Sequence, residues 1–278
     1  MQGRGPGTSG LNASAELIRD QFRKAGLQSG VEDGSYFQAF PYIPADSRKE
    51  IKLRNVIGVV QGTNSAAREV IVVGAHYDHL GFGPAFSLAP GEQKYALHPG
   101  ADDNASGVAV LLELARYFGA KARLPKRIIF IAFSGEEEGD LGSRYYTAYS
   151  VLPLLDTTVM INLDMVGRVH DNIIGIAGNK SGDSLDTILD FAVTNSRLLL
   201  MRGGEDYPDD SDHAPFASAG IPILYVCSGS HDDRHKPSDT ADKINVKGMA
   251  DVTDLLKTII ERLLESPRPH FVARHKQN

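Results

Sequence analysis

Apolar and polar positions along this chain follow two periods, and the switches between them mark out most of its elements. LNASAELIRDQFRKAGL (11–27) carries apolar residues at helical spacing, with Leu17, Ile18 and Phe22 on one face. Asn12 or Ser14 can cap its start, and Gly26 suits the left-handed position after its end. NASGVAVLLELARYFGA (104–120), SLDTILDFAVTNS (184–196) and VTDLLKTIIERLLES (252–266) read as three further helices. SYFQAFPYI and EIKLRNVIGVVQG read as strands joined by a turn rich in Pro, Asp and Ser. EVIVVGAH, KRIIFIAFS, TTVMINLDMVG and GIPILYVCSG are short and almost wholly apolar, the pattern of strands buried on both faces of a sheet. NIIGIAG is a weaker candidate of the same kind. Strands alternating with helices predict an α/β fold, a three-layer sandwich around a central, mostly parallel mixed sheet. No repeat or low-complexity segment breaks the pattern, and residues 1–278 read as one domain.

The polar residues gather at the ends of those strands. EVIVVGA runs into His76-Tyr77-Asp78-His79, RIIFIAF into Ser134-Gly135-Glu136-Glu137-Glu138, and VMINL into Asp164. IPILYVC is followed by a loop holding His231 and His235, and Asp102, Asp103 and Asn104 precede the second helix. In an open α/β sheet, ligands bind outside the carboxyl ends of the strands. Four strand ends and one loop therefore bring His, Asp and Glu to one edge. Two long irregular stretches, 81–95 and 203–215, are of a length that in compact domains tends to carry function.

Composition narrows the partners. A net charge of −6 without a basic stripe argues against nucleic acid, and the longest apolar runs fall far short of the ~20 residues that cross a bilayer. The start, MQGRGPGTSG, lacks the apolar core of a secretory signal. The single cysteine, Cys227, excludes an internal disulfide and sits in an apolar run, as an inert buried thiol would. Nothing in the pattern specifies an oligomeric contact.

Imidazoles and carboxylates without thiolates suit zinc or a similar transition ion, and the histidines disfavour a calcium cage. Two histidines and three carboxylates exceed the three protein ligands of a typical catalytic zinc. Two ions sharing one bridging carboxylate, typically ~3.5–4 Å apart, would use all five.

The ordered set GAHYDHLG, HPGADDNASG, FSGEEEGDLGS, INLDMVGR, SDHAPFASAGIP and HKPSDT resembles the M28 family of zinc metallopeptidases, and GRGPGT with the helix after it resembles that family's entry segment. The resemblance runs from about Gly3 to the end of the chain. It implies a zinc-exopeptidase-like sandwich with two Zn²⁺ per chain, acting on peptides with a free N-terminus. Carried over by position, His76 and His235 each bind one zinc, Asp103 bridges them, and Glu137 and Asp164 complete one shell each. Glu136 is the general base towards a zinc-bound hydroxide, and Asp78 orients the His76 ring. The family's inserted protease-associated domain has no counterpart, because QAFPYIPADSRKE passes directly into KLRNVIGVVQG. Relatives are commonly exported, which implies a secreted or periplasmic location.

One position departs from the pattern. Many relatives carry a tyrosine just before the last zinc-binding histidine, where its hydroxyl assists the oxyanion; here that position is Arg234. Arg234 or Tyr207 of the 203–215 loop takes that role, or zinc acts alone. Outside the ligand set, Asp102 is expected as a helix-terminal charge and Glu138 as a solvated residue. His79 and His98 are expected as loop hydrogen-bonders, and Asp212 and His213 as caps and supports of the metal shell; His231 has no assigned role. Three alternatives accompany the aminopeptidase reading: a carboxypeptidase or dipeptidase of the same family, a glutaminyl-cyclase-like acyltransferase with one zinc and no first histidine, and a non-catalytic binding module.

Overall fold

The computed structural model describes residues 2–44, 48–63, 68–121 and 123–274. Its strands are β1 (Gln28–Ser29), β2 (Phe37–Tyr42), β3 (Ile51–Val60), β4 (Val70–His76), β5 (Gly81–Phe82), β6 (Leu97–His98), β7 (Arg127–Phe133), β8 (Thr157–Leu163), β9 (Ile173–Ala177), β10 (Leu199–Gly204) and β11 (Ile223–Cys227). The helices are α1 (Ser9–Lys24), α2 (Gly107–Gly119), α3 (Leu141–Ala148), α4 (Leu185–Val193), α5 (Ala214–Ser218) and α6 (Val246–Glu265). The main sheet runs β1-β3-β7-β4-β8-β11-β9-β10, with β2 also paired to β3, while β5 and β6 form a separate small hairpin.

The sheet is mixed, as the alternation predicts, and its parallel strands are gathered at the centre. β7, β4, β8 and β11 run parallel to one another, and antiparallel pairings of β3 with β7 and of β11 with β9 flank them. Parallel order points the carboxyl ends of β4, β7, β8 and β11 the same way. That shared direction delivers His76, Glu136, Asp164 and the loop to His235 to one edge.

Burial follows the two-residue period of a strand. Ile71, Val73 and Ala75 of β4 join the core beneath α1, α2, α4 and α6, whereas Val70 and Val72 face the other way, toward Tyr146 of α3 and Phe216 of α5. Helices cover both faces, which makes the sandwich three-layered. On α1 the buried stripe is Leu11, Ala15, Ile18 and Phe22, at helical spacing. Leu17, expected on that face, is 47% exposed.

The helix termini differ in detail from the sequence expectation. Thr8 caps α1 by accepting from the Leu11 N–H at 3.1 Å, so neither Asn12 nor Ser14 does so, while Gly26 takes the left-handed conformation after the helix as expected. Asn245 caps α6, which starts six residues earlier than its apolar run suggests, at Val246. Three elements carry no clear sequence period. α3 (LGSRYYTA) is rich in weak helix formers and is held by Tyr146 against Phe133 and Phe216. β10 ends in two glycines at the sheet edge, and α5 spans only five residues. The turn through Asp46 and Ser47 lies outside the described residues. Among the described residues no helix is long and apolar enough to cross a membrane.

Candidate metal centre

The edge of the sheet above β4, β7 and β8 holds a compact cluster of carboxylates and imidazoles. His76 is the last residue of β4 and is fully buried. β7 ends at Phe133, and the chain turns at Gly135, whose φ of +79° favours glycine and where a Cβ would lie 3.0 Å from Leu53. Adjacent residues of a regular strand face opposite sides. The turn removes that constraint and lets Glu136 and Glu137 serve one site. Their backbone N–H groups both donate to buried Asp78, at 3.2 and 3.3 Å.

Asp103 sits at the centre, and its two oxygens face different histidines. Oδ1 lies 3.4 Å from His76 Nε2 and Oδ2 lies 3.1 Å from His235 Nε2. Each histidine is joined by one further carboxylate: Asp164 Oδ1 is 3.5 Å from His76 Nε2, and Glu137 Oε2 is 3.1 Å from His235 Nε2. Asp103 thus lies between His76 with Asp164 and His235 with Glu137, while the donor atoms close enough to share one ion group as His76–Glu136–Asp164 and His76–Asp103–Glu137. Three protein ligands per ion is the number a catalytic zinc takes. Glu136 stands slightly apart, with Oε2 3.8 Å from His76 Nε2. Its atoms are nonetheless close enough to group with His76 and Asp164, so proximity alone does not separate base from ligand.

The electrostatics agree with a cation site. Four carboxylates share a largely buried space with three imidazoles, His76, His79 and His235, and unpaired buried charges are costly unless a cation compensates them. Burial and the neighbouring carboxylates push Glu136 well above the ordinary carboxyl range, although His76 pulls against them. Burial disfavours a charge on His235, but hydrogen bonds to Asp103 and Glu137 outweigh it and raise the ring to about 10. The donor set, imidazoles and carboxylates without thiolates, fits a divalent ion of zinc's type.

The supporting shell corrects several sequence expectations. Asp78 Oδ1 lies 3.9 Å from His76 Nδ1, beyond hydrogen-bond range, and the contacts it makes are to the Glu136 and Glu137 amides. Glu138 is not solvated: it is half-buried and accepts from the Tyr42 hydroxyl. Asp102 does more than sit at a helix terminus, because it accepts from the Gly167 N–H at 2.6 Å and meets His231 Nε2 at 3.1 Å. His98 is a loop hydrogen-bonder as expected, between Ser87 and Ala96. His213 occupies the N-cap position of α5 as expected, but its side chain makes no capping hydrogen bond. Burial lowers His213 to about 4, and its ring bonds to the Pro208 carbonyl. Support of Asp164 comes instead from Ser211, whose hydroxyl donates at 3.0 Å. Cys227, expected as a buried thiol, is half-buried, and burial pushes its thiol up to about 12.

The two candidates for an oxyanion donor differ in place. Arg234 Nε lies 3.9 Å from Asp103 Oδ2, and its side chain is 44% exposed at the rim of the cluster. The Tyr207 ring is committed to packing, edge-on to His213 and beneath the Arg274 guanidinium. Sequence reasoning missed Tyr225 of β11, whose hydroxyl is 3.4 Å from Asp164 Oδ2. A lone phenol near the carboxyl end of a central strand was the available signal. It also missed Arg4, a buried guanidinium that donates to the carbonyls of Tyr77, Pro99 and Gly100 at 2.7–2.8 Å. Arg4 thereby ties the loop after His76 to the loop before Asp103.

A profile of Peptidase family M28 matches residues 55–260, a span that includes every residue of this cluster. The chain belongs to peptidase family M28. Among curated relatives, aminopeptidase YwaD of Bacillus subtilis (strain 168) is 30% identical over 236 residues, covering 80% of this chain and 47% of the relative. The chain spans about half or less of the length of the first curated relatives it matches. Of solved structures, an aminopeptidase from Aneurinibacillus sp. strain AM-1 superposes with a TM-score of 0.63 at 27% identity, covering 83% of this chain and 51% of that one. The glutaminyl cyclase of Bacteroides thetaiotaomicron shares the fold more completely, with a TM-score of 0.77, 20% identity, and 93% and 91% of the two chains covered. At 20% identity, the cyclase likeness concerns the fold alone.

Proposed function

We propose that this M28 chain is a two-zinc aminopeptidase, hydrolysing the N-terminal peptide bond of peptides. The observation that carries the reading is Asp103, with one oxygen toward each histidine and one further carboxylate completing each half. His76, Asp164 and Asp103 would hold one ion, and His235, Glu137 and Asp103 the other. Bound there, zinc supplies an activated water near neutral pH and polarises the scissile carbonyl.

The protein's own groups do the rest. Glu136 is left over once the ligands are assigned, and its Oε2, 3.8 Å from His76 Nε2, stands beside the centre where a base takes the water's proton and returns it to the leaving amine. Asp78 fixes that residue's position through the backbone, which holds Glu136 and Glu137 together. Arg234, at the rim beside Asp103, is the better-supported donor to the developing oxyanion. The named aminopeptidase relative supports cleavage at the N-terminal end.

The end of the peptide that is read can be tested with one sequence in three forms. A free N-terminus is expected to be cleaved, acetylation to lower kcat/KM on the order of 10⁴-fold, and C-terminal amidation to leave it unchanged. Loss of cleavage on amidation instead would assign a carboxypeptidase. Loss with either block would assign a dipeptidase. Release of ammonia from an N-terminal glutaminyl peptide, without peptide-bond cleavage, would assign a cyclase.

A further inference from the structure

The two ligand sets are not equally supported, and the difference turns on His79. Its ring is fully buried, and Nδ1 lies 2.6 Å from Glu137 Oε1, the oxygen that does not face His235. An ionised carboxylate only accepts, so the ring donates its Nδ1–H. Its Nε2 is buried with no hydrogen-bond partner among the described residues, and Glu137 is the ring's near partner, with Asp103 Oδ1 farther off at 4.0 Å from Nδ1. Gly100 packs against the ring's other edge: a Cβ there would meet His79 Cδ2 at 2.4 Å, and the Gly100 φ is +57°. The imidazole is thus wedged in place and holds one oxygen of Glu137 while the other faces His235 at 3.1 Å.

The same half has its histidine secured. His235 Nδ1 donates to the Phe86 carbonyl at 2.9 Å, and the Leu88 N–H returns to the His235 carbonyl at 2.9 Å. In the other half the outer nitrogen, His76 Nδ1, makes no hydrogen bond among the described residues, and the carboxylate facing it, Asp78, stands off at 3.9 Å. Its carboxylate, Asp164, is held by hydroxyls, from Ser211 at 3.0 Å and Tyr225 at 3.4 Å. Outer partners that fix ligand orientation typically contribute 10–100-fold to metal affinity.

We propose that His79 is a positioning residue that orients Glu137 and makes the His235–Glu137–Asp103 set the tighter of two unequal metal sites. The inference rests on the two-ion reading above.

Zinc titration of the metal-free protein against a chromophoric chelator tests it, with the step lost in His235→Ala identifying the Glu137 half. Wild type is expected to show two unequal steps, the tighter being the one lost in His235→Ala. His79→Leu is expected to weaken that step by roughly 10–100-fold and to leave the other in place. His79→Asn, whose amide nitrogen is as many bonds from the backbone as Nδ1, is expected to restore it. Should leucine prevent folding, His79→Ala removes the same donor with less bulk. Unchanged steps in a folded donor-free variant would overturn the proposal, as would two steps that fall together or no recovery with asparagine. A wild-type chain that takes up only one ion would overturn the two-ion reading itself.

Discussion

Glu136→Gln is expected to lower turnover by about 10²–10⁴-fold while the protein still binds two zinc ions per chain. Glutamine keeps the length and shape of the side chain, and the backbone N–H that Asp78 holds is unaltered. What it loses is the ability to take up a proton. If Glu136 acts as the base, loss of activity and retention of metal must occur together. Metal analysis on the same preparation as the kinetics checks this. A variant that turns over normally would remove Glu136 from the mechanism, and one that loses an ion would make it a ligand, a role its proximity to His76 and Asp164 also permits.

Asp103→Ala should produce the opposite combination. Each set would be left with two protein ligands, below the three that a catalytic zinc takes. Both affinities are expected to fall by more than the roughly 10–100-fold that loss of an outer partner costs, and activity with them. The fold should survive, because the backbone N–H groups of Asp102 and Asp103 are held by Asp239, which the substitution leaves in place. The metal-free variant is expected to be less stable than metal-free wild type, because Asp103 pairs with the His235 ring at 3.1 Å and lies 3.4 Å from His76 Nε2. Competition with a chelator and thermal unfolding check the two halves of this prediction. Loss of one ion alone would show that Asp103 is not shared.

Much of this site was legible in the sequence because it hangs on central strands. EVIVVGAH and RIIFIAF are apolar without interruption, so their ends, and the polar residues just beyond them, are easily placed. The parallel order then brings those ends together. What escaped was built by contacts that no local period encodes. α3 exists because Tyr146 packs on Phe133 and Phe216, not because LGSRYYTA favours a helix. Arg4 lies in an irregular N-terminal segment and meets partners more than 70 residues away. The Ser211 contact depends on a loop whose course the sequence does not specify, and the Tyr225 contact on a strand whose ends look like core. The three glutamates of GEEEG show the same limit. Their separate fates follow from the turn at Gly135 and from Tyr42, on a strand about a hundred positions earlier.

The central claim is that two ions act together in removing N-terminal residues. It is tested most directly by adding zinc in measured equivalents to the metal-free protein while following release of the N-terminal residue from an unblocked aminoacyl chromogenic substrate. Activity is expected to be absent without zinc and to keep rising until two equivalents per chain have been added. Full activity at one equivalent, or cleavage that persists in excess chelator, would contradict it.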